Sequence, residues 1–140
     1  MLRIELLDWE RARAEASRIR LAVFVDEQRV PAELEMDDRD AACLHALAFE
    51  DGYAVGTGRL LPDGHIGRMA VLRQARSRGV GGAILLRLVE EARRRGMPRV
   101  VLSAQTHALG FYRRHGFAAV GPVFDEAGIP HQEMRLALNS

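Results

Sequence analysis

Apolar and polar positions change period along this chain, and each change marks an element. Leu2 to Leu7 alternates as a short strand. Asp8 is placed to cap a helix, with Glu10 in its first turn. Trp9, Ala12, Ala16, Ile19 and Val23 then fall on one helical face, with the arginines of the segment mainly on the others. The helix is expected to end between Asp26 and Pro31. The stretch onward to Asp40 has no period and reads as a loop or irregular helix.

Period two returns at Leu44 to Glu50 and at Tyr53 to Leu61. Asp51-Gly52 between them predicts a tight hairpin turn that matches strand twist. Pro62-Asp63-Gly64 makes another turn, and His65 to Val71 a third strand of the meander. From Ile84 the helical period resumes through Leu85, Leu88, Val89 and Ala92. Arg93 to Arg95 close that helix, and Gly96 and Pro98 stop it. Arg99 to Ala104 is a β-branched strand, and strand–helix–strand of this length predicts a parallel crossover. Leu109 to His115 reads as a short helix stopped by Gly116. Phe117 to Val120 and Gln132 to Leu138 read as closing strands, joined through Gly121-Pro122 and Gly128-Ile129-Pro130. No repeat or linker interrupts the 140 residues, which predict one domain.

The junction Arg76-Ser77-Arg78-Gly79-Val80-Gly81-Gly82 is the most informative segment. It lies where a strand feeds an amphipathic helix. The first turn of a helix has N–H groups without intrahelical partners and partial positive charge, so anions bind there. Gly79, Gly81 and Gly82 let the backbone approach an anion, and Arg76 and Arg78 add forked donors suited to phosphate. An ordinary solvated loop is the bland alternative. Neither a Gly-x-x-x-x-Gly-Lys-Ser/Thr loop nor a Gly-x-Gly-x-x-Gly after a strand is present, which argues against nucleotide hydrolysis and dinucleotide binding.

Composition narrows the class. Apolar content of 48% and charged content of 28% are those of an ordinary globular protein. No apolar run is long enough to span a membrane, and the N-terminus lacks the apolar core of a signal peptide, so a cytoplasmic location is expected. The one cysteine, Cys43, fits a reducing compartment and reads as a buried structural thiol. All cationic side chains are arginine. Net charge is +1, but residues 26–40 hold seven carboxylates against Arg29 and Arg39, a local charge of about −5. That acidic stretch is either one wall of a site that attracts a cationic amine or a solvated loop.

Two motifs, in this order of elements, resemble the GNAT superfamily of acyl-CoA-dependent N-acetyltransferases. Arg76-Ser77-Arg78-Gly79-Val80-Gly81 matches its Gln/Arg-x-x-Gly-x-Gly/Ala. Ala108-Leu109-Gly110-Phe111-Tyr112-Arg113-Arg114-His115-Gly116-Phe117 matches its Ala-x-x-Phe-Tyr-x-x-x-Gly-Phe. Val23-Phe24-Val25-Asp26-Glu27-Gln28, with Pro31 and the acidic run to His45, looks like a small bacterial branch, as does Gly128 to Met134. The resemblance covers nearly the whole chain. It implies an α+β fold: a central mixed, twisted sheet of about six to seven strands flanked by about four helices.

It also implies an acetyl-CoA co-substrate. The pyrophosphate would lie on the N–H groups around Gly79, Val80, Gly81 and Gly82, with Arg76 and Arg78 beside it. The pantetheine arm would pair with the backbone of Met69, Ala70 and Val71, and an N–H near Val71 would polarise the thioester carbonyl. Gln105, Phe111, Tyr112 and Arg114 complete the implied cofactor contacts. Gln105 stands where the family often has asparagine. Tyr112 matches the tyrosine that acts as general acid toward the CoA sulfur; a core aromatic is its bland reading. His131 is the preferred base, because imidazole titrates near neutrality and similar members with Pro-His use it, against a surface histidine in a loop. Glu27 is the alternative base, and His45 and His107 are weaker ones. No metal site is expected.

The leading expectation is direct acetyl transfer to a primary amine of a small molecule or peptide. A non-catalytic acyl-CoA-binding sensor is the alternative. A member acting on charged tRNA would need a basic face, which the acidic stretch opposes. No nucleic-acid or membrane partner is expected, and dimers are common among similar proteins.

Overall fold

The computed structural model describes residues 1–35 and 37–138. Its first sheet has the order β1-β2-β3-β4, from β1 (Leu2–Leu7), β2 (Leu44–Glu50), β3 (Tyr53–Leu60) and β4 (Ile66–Val71), all antiparallel. Asp51 and Gly52 both have positive φ, as the predicted tight hairpin requires. Alternation then sorts the faces. Leu47 and Ala54 pack toward helix α1 (Trp9–Arg20), while Ala46, Ala48 and Val55 pack toward helix α3 (Val80–Arg94). Helix α3 lies close on the sheet because Gly56 and Gly58 leave room. A Cβ at Gly56 would meet Ile84 Cδ1 at 2.8 Å, and one at Gly58 would meet Ile84 Cγ2 at 3.0 Å. Ile84, Leu85 and Leu88 are wholly buried there, each worth roughly 1.5–3 kcal/mol of apolar transfer.

Asp8 accepts a hydrogen bond from the Arg11 N–H and starts α1 as its sequence predicts. Ala12, Ala16, Ile19 and Val23 are buried, as their spacing requires. The helix does not stop at Arg20. It widens into a π-helical segment, Leu21–Glu27, a form that clusters at functional sites. A short helix α2 (Ala32–Glu35) and a single 3₁₀ turn (Asp40–Ala42) follow. Among the described residues no helix is long and apolar enough to cross a membrane.

The second sheet is three-stranded, with order β5-β7-β6, from β5 (Arg99–Gln105), β6 (Ala118–Glu126) and β7 (Ile129–Ala137). Helix α4 (Leu109–Arg114) connects β5 to β6. Here the expected closing strands need correction. Gly121-Pro122 does not join them. It lies inside β6, at a register shift between Val120 and Phe124, where an exposed edge strand tolerates a proline. The hairpin turn is Ala127-Gly128, so β7 begins at Ile129 and His131 is a strand residue, not a loop residue.

Among the described residues the two sheets meet through one parallel bridge, His65 to Val101, with the Val101 N–H bonded to the Gly64 carbonyl at 3.1 Å. Beyond it β4 and β5 run in the same direction and separate. The parallel crossover exists, but its strands are zipped only at their start, and a cleft opens between their C-terminal ends.

Candidate active site

That cleft is a cavity of about 810 Å³. Its walls come from the π-helical segment, the acidic stretch, β4, β5, α4 and the β6–β7 turn. It reaches the glycine–arginine junction at Arg76.

At the junction, Ser77 and Gly79 both have positive φ, 65° and 80°. Ala83 is the first residue of α3 whose N–H bonds back, to the Gly79 carbonyl at 3.0 Å, and Gly79 offers no side-chain cap. Among the described residues, the N–H groups from Ser77 to Gly82 have no protein acceptor, which is the arrangement that binds an anion. A Cβ on Gly81 would lie 3.7 Å from Phe111 Cζ and 3.8 Å from Val71 Cγ2, so the strand, the loop and α4 converge there.

The two arginines of the junction are both engaged. Arg76 forms a fork on Glu27, at 2.6 and 2.7 Å, and donates through Nε to the Val71 carbonyl at 3.0 Å. This pairing holds the Glu27 carboxyl below its ordinary range and raises the Arg76 guanidinium. Arg78 turns away, to Glu50 and the Gln74 carbonyl. The Leu72 N–H bonds Val55 O in the first sheet, so the neighbouring N–H and C=O of Val71 face the cleft.

Tyr112 lines the cavity and packs edge-on against Phe111 and Phe117. Burial pushes its phenol up to about 12, so it stays protonated at neutral pH. The adjacent Phe111 is half-buried too, so the two aromatics share the core edge between them. His131 is 7% exposed, in the central strand of its sheet, with Gln105 as its register partner on one side and Phe124 on the other. Its Nδ1 lies 2.7 Å from the Ile129 carbonyl. A carbonyl only accepts, so Nδ1 carries the hydrogen and the neutral ring keeps its lone pair on Nε2. Met69, Ala70 and Gln105 also line the cavity, whereas Arg114 is exposed outside it.

Gln105 and Gln28 exchange amide hydrogen bonds of 2.9 and 3.3 Å, linking the π-helical segment to the end of β5. His107 Nε2 approaches the same Gln105 oxygen at 2.6 Å. His45 belongs elsewhere. It is buried against Trp9, with Nε2 2.9 Å from the Asp40 carbonyl, and burial lowers its pKa. Cys43 is buried and donates to the Arg39 carbonyl, and burial raises its thiol.

In the acidic stretch Asp26, Glu33 and Asp38 are exposed, whereas Glu35, Asp37 and Asp40 are drawn into a network of arginines. Arg20 is 1% exposed, on the inner side of α1, and binds Glu35 through Nε and Asp40 through both terminal nitrogens, at 2.9 and 3.1 Å. Arg59 of β3 bridges Asp40 and Asp37 at 2.8–2.9 Å, and Arg68 of β4 reaches Asp37 at 3.2 Å. Three carboxylates are thus matched by three guanidinium groups. The hydrogen bond from Arg59 holds the Asp37 carboxyl well below its usual range. At Asp40 burial works upward, and the two arginines overcome it. Sequence reasoning missed Arg20, Arg59, Arg68 and Gln28. Only the positive charge at Arg20, one residue beyond Ile19 of the apolar stripe, hinted at a buried cation.

The chain's relatives carry this architecture. The family model described as an acetyltransferase (GNAT) domain matches residues 12–138. The uncharacterised N-acetyltransferase YjcF of Bacillus subtilis is 40% identical over 124 residues, 86% of this chain and 89% of its own length. An acyl-CoA N-acyltransferase from Pseudomonas aeruginosa superposes with a TM-score of 0.87 at 32% identity, covering 96% of this chain and 99% of its own. Escherichia coli ElaA superposes at 0.85 with 28% identity over 95% and 98%. With its fold, its open helix N-terminus and these relatives in agreement, the chain belongs to the GNAT family of acetyltransferases.

Proposed function

We propose that the protein moves the acetyl group of acetyl-CoA directly to a primary amine of a small molecule or peptide, with both substrates bound together. The observation that carries this reading is the line of groups along one cleft. Unpartnered N–H groups lie at its mouth, the Val71 N–H faces it, and Tyr112 and His131 border it.

In this reading the amides of Val80, Gly81 and Gly82 hold the pyrophosphate, with a contribution from Arg76 once it leaves Glu27. The Val71 N–H donates to the thioester carbonyl, where negative charge grows during attack. His131 Nε2 takes the proton of the attacking amine. It is the better base, because Glu27 is forked to Arg76 and its lowered pKa weakens it as a proton acceptor. The Tyr112 hydroxyl donates to the leaving sulfur. Its raised pKa keeps that hydrogen in place, although it makes full proton transfer to the thiolate harder than hydrogen bonding to it.

The test is release of free thiol from acetyl-CoA across a panel of amines. Release that requires both an amine and His131 supports the proposal. Ordinary binding of acetyl-CoA with no release from any amine would point instead to a non-catalytic acyl-CoA-binding module.

A further inference from the structure

The end of the cavity farthest from the glycine loop is shaped by Arg68. This residue has φ 49° in the middle of β4, a conformation that costs a non-glycine residue energy. The strand pairing shifts register beside it, between Thr57 and Arg59. The bulge turns the Arg68 side chain into the cavity wall. Nε is fixed on the Glu35 carbonyl and one terminal nitrogen on Asp37, both at 3.2 Å. The other terminal nitrogen has no protein acceptor among the described residues, and the side chain keeps 23% of its surface exposed.

Among the described residues no carboxylate pairs with this remaining nitrogen, although Arg68 as a whole is paired through its other nitrogens. Glu35, Asp37 and Asp40 are shared among Arg20, Arg59 and Arg68 itself, so they do not occupy the last Arg68 nitrogen. Arg39, without an ion pair among the described residues, lines the same end. Glu126, the last residue of β6, is the carboxylate on the opposite wall. Desolvation and the nearby Arg59 both oppose the charge on Arg68, so an arriving anion would relieve a strained cation. Phe24, Leu34, Leu61 and Ile66 supply apolar lining close by.

We infer that the acceptor amine carries a carboxylate, which Arg68 reads, and that it is an amino-acid-like molecule with an apolar side chain. This rests on the acetyl-transfer reading above, and it replaces attraction of the amine by the acidic stretch with recognition of the anionic end of the same molecule. Asp37 and the Glu35 carbonyl act as positioning groups, because they hold the guanidinium in one orientation.

Matched acceptors test it: L-leucine against isoamylamine, and L-phenylalanine against phenethylamine, each with acetyl-CoA. The amino acids should exceed their decarboxylated partners in kcat/KM by at least about tenfold, the scale of a hydrogen-bonded charge contact. In Arg68→Gln that ratio should collapse toward one, through KM for the amino acid, while KM for acetyl-CoA stays within about twofold. Amino acids no better than the amines, or a ratio that survives in folded Arg68→Gln, would overturn the inference. Should that variant not fold, Arg68→Lys decides, since it keeps a cation beside Asp37 but loses the fork. A fall of at least about threefold in the ratio supports the inference, and an unchanged ratio refutes it. If no acceptor is acetylated at all, the transfer reading fails, and calorimetric titration into the CoA-bound protein decides the anion site separately. Preferential binding of L-leucine, lost in Arg68→Gln, supports it, and equal or absent binding of the two refutes it.

Discussion

The two ends of the cleft are built from different materials. At the mouth, the open groups are backbone amides exposed by a glycine turn, and few side chains are needed to hold them. At the far end, side chains do the positioning, and they are locked by a buried network that spans α1, the acidic stretch, β3 and β4. The first design depends on local conformation, so damage there should change ligand affinity and spare stability. The second depends on burial and pairing over long sequence separations, so damage there should reach the whole fold.

The largest effect expected is on chemistry, between the two ends. His131→Gln should lower kcat by about 100- to 10,000-fold, the usual value of a positioned general base, with acetyl-CoA affinity unchanged. A rate within about threefold of the parent would remove His131 from the mechanism. Next comes Arg20→Met. Loss of this cation leaves Glu35 and part of Asp40 unpaired in the interior, and about 3–5 kcal/mol of stability should go with it. Chemical denaturation measures this, and a loss under about 1 kcal/mol would show that the network is not a support.

Tyr112→Phe should slow turnover by roughly 10- to 100-fold while leaving acetyl-CoA affinity nearly intact, because it removes a donor to the leaving group and no cofactor contact of comparable weight. Gly81→Leu should weaken acetyl-CoA binding by about tenfold, roughly 1.4 kcal/mol, since a side chain would fill the space between Phe111, Val71 and the open amides. Its melting temperature should barely move. A stability loss matching that of Arg20→Met would erase the distinction between the two ends.

The smallest effect is on acid stability. Asp37, Asp40 and Glu27 have folded pKa values below their ordinary ones of 3.8, 3.8 and 4.5. The unfolded chain therefore takes up protons before the folded one does. The stability these groups add is fully present above about pH 5 and drains away as pH falls through the folded values, below about 4. Urea midpoints should decline gently below about pH 6.5, where the unfolded chain protonates His45 and the buried ring resists, and more steeply below about pH 5, with a shallower fall there in Asp40→Asn.

The same contrast explains what could be read before the structure. The Asp8 cap, the Asp51-Gly52 turn, the stripe from Ala12 to Val23 and the open loop at Gly79 depend on neighbours within a few residues, and their spacing alone shows them. The network does not. Arg20 meets Asp40 twenty positions away and Arg59 meets Asp37 across twenty-two, and nothing in an acidic run distinguishes carboxylates facing water from those facing a buried guanidinium. Gly121-Pro122 misled for a related reason. Its composition signals a turn, but an edge strand with a bulge has room for the same pair. Tyr112 and His131 were visible as candidates through motif and residue type. The bond that fixes the His131 tautomer, and the bulge that aims Arg68, exist only once the strands have paired.

The central claim is that one cleft holds acyl donor and amine together for direct transfer. Initial-velocity kinetics with both substrates varied tests it most directly. Intersecting double-reciprocal lines, with no acetylated protein detected by mass spectrometry when the amine is omitted, are the predicted result. Parallel lines with an acetylated protein intermediate would contradict it.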